Sequence, residues 1–180
     1  MGRLVYMMGA SGVGKDSLLD AVRSRYPDWL VAHRYVTRDS GGTENSVALT
    51  PAEFEARRRQ ELFCLTWRAH GLDYGLGIEI ETWLARGRTI LVNGSRRALP
   101  EARRRLGDTL LPLLVTAPEP VLADRLRRRG REGSAQIEER LARHRELSRS
   151  LPEVARLDNG GALDDTLVSL REWLVAECSS

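Results

Sequence analysis

Gly9-Ala10-Ser11-Gly12-Val13-Gly14-Lys15-Asp16-Ser17 is the stretch on which the reading of this chain turns. It fits G-x-x-x-x-G-K, it follows the apolar run Leu4-Val5-Tyr6-Met7-Met8, and it precedes Leu18, Leu19, Val22 and Tyr26 at helical spacing. Pro27 closes that helix. A strand, a glycine-rich turn and a helix in this order are the context the motif needs. Glycine tolerates the backbone angles that turn successive N–H groups inward, which makes a nest for an anion. The helix N-terminus adds partial positive charge, and Lys15 is placed to reach β- and γ-phosphates. The nine residues are therefore the expected binding segment for a nucleoside triphosphate, with Lys15 also a catalytic candidate.

Composition sets the outer bounds. The chain has 180 residues, 42% of them apolar and 29% charged, which is the balance of one ordinary globular domain. No apolar stretch approaches the ~20 residues of a membrane span, and no secretion signal opens the chain, so a cytoplasmic protein without membrane contact is expected. The two cysteines, Cys64 and Cys178, sit in no metal-ligand pattern and are expected as reduced thiols. Lys15 is the only lysine among the 28 basic residues. A coding bias toward arginine explains the depletion, and the surviving lysine then marks a place where a forked guanidinium does not substitute for a compact ammonium. The arginines raise the question of nucleic acid. The 25 interspersed acidic residues and the 6% of aromatic residues argue against it.

The remaining elements alternate. Val31 to Thr37 predicts a second strand, Thr50-Pro51-Ala52-Glu53 is a capping box that starts a helix, and Leu62 to Trp67 predicts another strand. Ile78 to Arg86 predicts a helix ending at Gly87. Thr89 to Val92 and Leu110 to Thr116 are apolar strands of the buried parallel kind. Helices are expected from about Pro100 to Leu106, from Pro118 to Arg129, from Ser134 to about Arg149, and along Leu163, Leu167, Leu170 and Leu174. The alternation predicts one three-layer α/β domain over residues 1–180 around a mainly parallel sheet, with a helical insertion between the second and third core strands.

Three further groups carry chemistry. Asp16 stands where a Ser or Thr commonly ligates Mg²⁺, and Ser17 follows it; meanwhile the strand ending Leu91-Val92-Asn93-Gly94-Ser95 brings no carboxylate. Asp16 and Ser17 are thus the metal candidates, and an alternative role for Asp16 is a first-turn acid that stabilises the helix by ~0.3–1 kcal/mol. Arg34 and Arg38 fall at even spacing and suit a phosphate acceptor, or else are two solvated arginines. Arg125, Arg127, Arg128, Arg129 and Arg131 flank Gly130 ahead of a polar helix carrying Arg140 and Arg143. Such a cluster fits a lid that neutralises the charge of a transferring phosphoryl group, with some of its members only solvated.

These pieces together resemble the guanylate kinase family. The resemblance rests on the phosphate loop, Thr37-Arg38, His70-Gly71-Leu72-Asp73-Tyr74-Gly75, and the Arg-Leu-x-x-Arg-Gly-x-Glu pattern from Arg125 to Glu132. Within it, G-K-D-S-L-L at Gly14 to Leu19, A-H-R-Y-V-T-R-D at Ala32 to Asp39 and L-V-N-G-S-R at Leu91 to Arg96 are similar to the branch that phosphorylates ribose 1,5-bisphosphate in phosphonate catabolism. The resemblance covers essentially the whole chain. It implies a guanylate kinase-like P-loop fold, with an acceptor-binding insertion over about 34–88 and an arginine-rich lid over about 125–145.

It also implies a transferase that uses ATP and Mg²⁺. Arg34, Arg38, Tyr74, Asn93, Ser95 and Arg96 would serve the acceptor, and Lys15, Arg125, Arg129, Arg131 and Arg140 the transfer. The family's guanine-reading glutamate falls on Leu65 and its phosphate-binding tyrosine on Ser46. A leucine accepts no hydrogen bond from a base, so a sugar phosphate is expected in place of GMP. The alternatives are a nucleoside monophosphate kinase and a non-catalytic binding module. Related kinases pair as dimers, which allows a homodimer, although no residue pattern marks an interface.

Overall fold

The computed structural model describes residues 2–38, 45–130 and 133–179. Backbone packing divides the chain into two compact units, Met1–Met7 with Val22–Pro112 and Met8–Ala21 with Leu113–Ser180.

In the first unit, strand β1 (Arg3–Met8) is buried along all but its first residue, as a run of apolar side chains without alternation demands. Helix α1 (Lys15–Arg25) begins at the end of the glycine-rich loop, its residues up to Ala21 belonging to the second unit and Val22–Arg25 to the first. It carries Asp16 in its first turn and Arg23 and Arg25 in its last, charges that complement the helix dipole. Strand β2 (Leu30–Val31) follows, then β3 (Arg34–Thr37), β4 (Ser46–Leu49) and helix α2 (Pro51–Arg59). The predicted capping box is present: the Glu53 amide donates to Thr50 Oγ1 at 3.2 Å, and the Thr50 amide donates to Glu53 Oε2 at 2.7 Å. Phe54 of α2 stacks on Phe63, ring centroids 4.6 Å apart, with Leu49 and Tyr35 packed around the pair. Strands β5 (Phe63–Ala69) and β6 (Leu72–Gly77), helix α3 (Glu79–Ala85), β7 (Thr89–Asn93) and helix α4 (Leu99–Leu106) complete the unit.

Two sheets result. Strands β1 and β2 both pair parallel with β7, and a second sheet runs in the order β4-β3-β6-β5. The insertion expected as helical is therefore built on a sheet, and the single strand expected from Val31 to Thr37 is two. The Ala32 amide still donates to Leu91 O, at 2.9 Å, whereas the Arg34 amide donates to Asn45 O at 3.0 Å. The chain changes partners between them, which a run of strand-forming residues does not betray. Strand β6 also escaped the sequence reading. Its two glycines and an aspartate argue against a strand, but ladders to β3 and β5 on either side hold it.

The second unit contains most of strand β8 (Leu110–Thr116), helix α5 (Glu119–Arg129), helix α6 (Ser134–Ser150), strand β9 (Ala155–Asp158) and helix α7 (Leu163–Ser179). Strands β8 and β9 pair parallel. No helix among the described residues is long and apolar enough to cross a membrane.

Candidate active site

The donor-side candidates lie in the second unit. Gly12 and Gly14 have φ of 93° and 94°, the left-handed region that the nest requires and side chains resist. A Cβ on Gly14 would lie 2.5 Å from Asn159 Nδ2, so glycine is also required there for space. Between them Val13 is fully buried and ties the loop to the core. Lys15 Nζ donates to Gly9 O at 2.6 Å and Ala10 O at 3.2 Å, which holds the ammonium against the loop whose anion it is suited to meet. Asp16 is half-buried in the first turn of α1 and Ser17 beside it is exposed. Both offer the oxygen ligands that Mg²⁺ takes, so the donor set fits that ion.

The arginine cluster divides. Arg140, from α6, donates through Nη1 to Ser11 Oγ at 2.5 Å and so reaches the loop directly. Arg125, from α5, is half-buried and turned to backbone: Nη1 donates to Val13 O at 3.3 Å and Nη2 to Asn159 O at 2.7 Å. Arg129 is exposed at the end of α5, where Gly130 takes a left-handed C-cap at φ 64°. Arg131 lies outside the described residues. Asn159 was not among the expected site residues; in the sequence it stands in the turn-forming Asp158-Asn159-Gly160-Gly161 run.

One turn beyond Arg140, His144 is buried at 7% exposure. Burial holds its pKa below the usual imidazole value; the Glu119 carboxylate and a hydrogen bond to the Ala117 backbone pull the other way, and Arg145 reinforces the lowering. The unfolded chain then takes up a proton that the folded chain refuses. Stability is complete above about pH 6.5 and falls as the pH drops below it. Thermal melting from pH 8 to pH 5 is expected to show this decline, and His144→Gln is expected to flatten it. An unchanged slope in that variant would show that the acid sensitivity arises elsewhere.

The acceptor candidates lie in the first unit. Arg34, on β3, places its guanidinium 5.5 Å from the ring centroid of Tyr74 on β6. Tyr74 in turn stacks on Trp67 of β5, its ladder partner, at 5.5 Å and 5°. Trp67, expected as a packing residue, thus backs the ring on which Arg34 rests. Arg38 stands just past the end of β3 and donates from Nη2 to Ser46 Oγ at 2.8 Å. Thr37 and Arg38 line a cavity of about 610 Å³ together with Leu49, Thr50 and Leu72.

Asn93 is buried at the end of β7, Ser95 is half-buried after it, and Arg96 is exposed. This turn is held by Tyr6, whose hydroxyl donates to Ser95 O at 2.9 Å and accepts from the Ser95 amide at 2.8 Å. Burial pushes the Tyr6 phenol up to about 12, and the Arg34 charge, which opposes that shift, lies within electrostatic reach. Arg34 thus rests on Tyr74, and the Asn93–Arg96 turn is held by the Tyr6 hydroxyl. Leu65, on which the family's base-reading glutamate falls, is buried at 3% exposure on β5.

No protein-family model matches the chain. A Yersinia pestis protein named ribose 1,5-bisphosphate phosphokinase PhnN is 49% identical over 180 residues, covering 98% of this chain and 93% of its own length. Proteins of the same name from Pantoea vagans and Pseudomonas paraeruginosa are 49% and 47% identical, over 97% and 96% of this chain and 98% and 95% of their own. Among solved structures, guanylate kinase from Anaplasma phagocytophilum aligns with a TM-score of 0.71 at 15% identity, over 98% of this chain and 86% of its own. The fold is thus the guanylate kinase-like α/β fold that the sequence led us to expect.

Proposed function

The chain belongs to the ribose 1,5-bisphosphate phosphokinase family, and on that premise we propose that it transfers the γ-phosphoryl group of ATP to ribose 1,5-bisphosphate. The products are 5-phospho-α-D-ribose 1-diphosphate and ADP, in a step of phosphonate catabolism. The observation that carries the reading is the 47–49% identity to proteins of that name along nearly the whole chain. The buried Leu65 supports a sugar phosphate over GMP, since it offers a base nothing to bind.

In this mechanism the loop amides and Lys15 hold the ATP phosphates, and Arg140 with Arg129 and Arg131 gathers the charge of the transferring group. Arg34 and Arg38 clamp the acceptor, Tyr74 supports Arg34, and Asn93, Ser95 and Arg96 complete its pocket. Asp16 and Ser17 would hold Mg²⁺, which would supply neutralisation of the phosphate charge. The attacking group is a phosphate oxygen of the acceptor, already anionic near neutral pH, so no general base is needed. Catalysis is then positioning and charge neutralisation. The proposed enzyme is cytoplasmic and works on a small molecule, and a homodimer is its proposed assembly by the resemblance alone.

The test is ADP release from Mg²⁺-ATP with ribose 1,5-bisphosphate and GMP offered in parallel. Turnover on the sugar bisphosphate with the 1-diphosphate as product is expected. Turnover on GMP alone would replace this reading with a nucleoside monophosphate kinase, and release with neither would leave a binding module.

A further inference from the structure

The Val13 carbonyl is the point on which the phosphate loop is fastened. Asn159 Nδ2 donates to Val13 O at 2.7 Å, and Arg125 Nη1 donates to the same oxygen at 3.3 Å. Arg125 Nη2 then donates to Asn159 O at 2.7 Å, which ties the two donors to each other. The Asn159 side chain is fixed from behind, since Thr166 Oγ1 of α7 donates to Asn159 Oδ1 at 2.9 Å. Its backbone is fixed too, with the amide donating to Thr116 O at 2.8 Å. Asn159 and Thr166 are buried at 4% and 3% exposure, so an amide or hydroxyl there without partners would be costly.

A trans peptide is planar, and its C=O and the following N–H point in opposite directions. All peptide bonds among the described residues are trans. Anchoring the Val13 carbonyl on one side therefore aims the Gly14 amide to the other. Gly14, at φ 94°, has no Cβ to push Asn159 away. We propose that Asn159, Thr166 and Arg125 are positioning residues for the donor phosphates: they hold the Val13–Gly14 peptide in the orientation that turns its amide into the anion nest before nucleotide arrives. This rests on the reading of the loop as the ATP site.

The variants that isolate the latch are near-isosteric. Asn159→Asp keeps the acceptor for Thr166 but sets a carboxylate oxygen against the Val13 carbonyl. Thr166→Val removes the hydroxyl at constant shape, and Thr166→Ser restores it. Affinity for ADP and for ATP is measured by calorimetric titration, with KM for each substrate and the melting temperature followed alongside. Asn159→Asp is expected to weaken nucleotide affinity by about 10- to 100-fold, and Thr166→Val by about 3- to 10-fold, since each removes a hydrogen bond that holds the loop. KM for the sugar phosphate is expected to stay within about twofold, and Thr166→Ser to bind nucleotide as the parent does.

Parental nucleotide affinity in a folded Asn159→Asp variant overturns the proposal. So does a melting loss in Asn159→Asp and Thr166→Val with no separation between the two KM values, because a purely structural role would show that. If Asn159→Asp fails to fold, Thr166→Val against Thr166→Ser decides the matter. A parent protein that binds no nucleotide overturns the latch and the ATP site together, and is told apart by being seen before any substitution is made.

Discussion

Replacing Lys15 by methionine is expected to lower turnover with ATP and ribose 1,5-bisphosphate by about 10²- to 10³-fold or more, the cost of deleting one preorganised charge at a site of developing negative charge. Methionine keeps the length and apolar stem of lysine and removes only the ammonium. In the structure that ammonium is anchored to Gly9 O and Ala10 O, so the charge stands at the loop before nucleotide binds. The two lost bonds are to half-buried groups that water reaches, and the fold is expected to survive. Steady-state kinetics with a circular dichroism melt checks both halves of the expectation. Parental turnover would remove the loop from the mechanism. Lys15→Arg is the sharper control, because a forked guanidinium keeps the charge and is still expected to fail.

Arg38→Ala is expected to raise KM for the sugar phosphate by about 10- to 100-fold, since hydrogen bonds to a charged partner contribute roughly 1.5–3 kcal/mol. Arg38 stands at the end of β3 on the cavity wall, steadied by Ser46 Oγ at 2.8 Å. Nucleotide affinity is expected to stay at the parental value, because Arg38 is no part of the phosphate loop. A variant with unchanged acceptor KM would make Arg38 a surface arginine in an arginine-rich chain. Arg38→Lys is expected to recover only part of the loss, for a point charge replaces a bidentate fork.

The legible part of this protein was the part whose chemistry is contiguous. Nine residues carry the strand end, the nest, the ammonium and the helix start, so spacing alone revealed the phosphate loop. The Thr50 capping box and the apolar strands β1, β7 and β8 were readable for the same reason: each depends on neighbours within a few residues. Leu65 shifted the acceptor away from a base because one side chain sufficed to remove a hydrogen-bond partner. Where contacts come from far along the chain the reading stopped. Strand β6 has poor strand residues and exists because β3 and β5 hold both its edges. The break between β2 and β3 is a change of partner, invisible to periodicity.

Arg125 shows the boundary best. As a letter beside four other arginines it predicts a lid charge, whereas in the fold its guanidinium is committed to the carbonyls of Val13 and Asn159. Asn159 reaches the loop across 146 positions of sequence. A turn-forming asparagine next to two glycines looks the same in sequence whether its amide meets water or a buried carbonyl. Local pattern decided what the loop is, because glycine torsions and a helix terminus are properties of neighbouring residues. Which side chains hold that loop was decided only by tertiary packing, because a buried carbonyl takes whichever donors the fold carries to it.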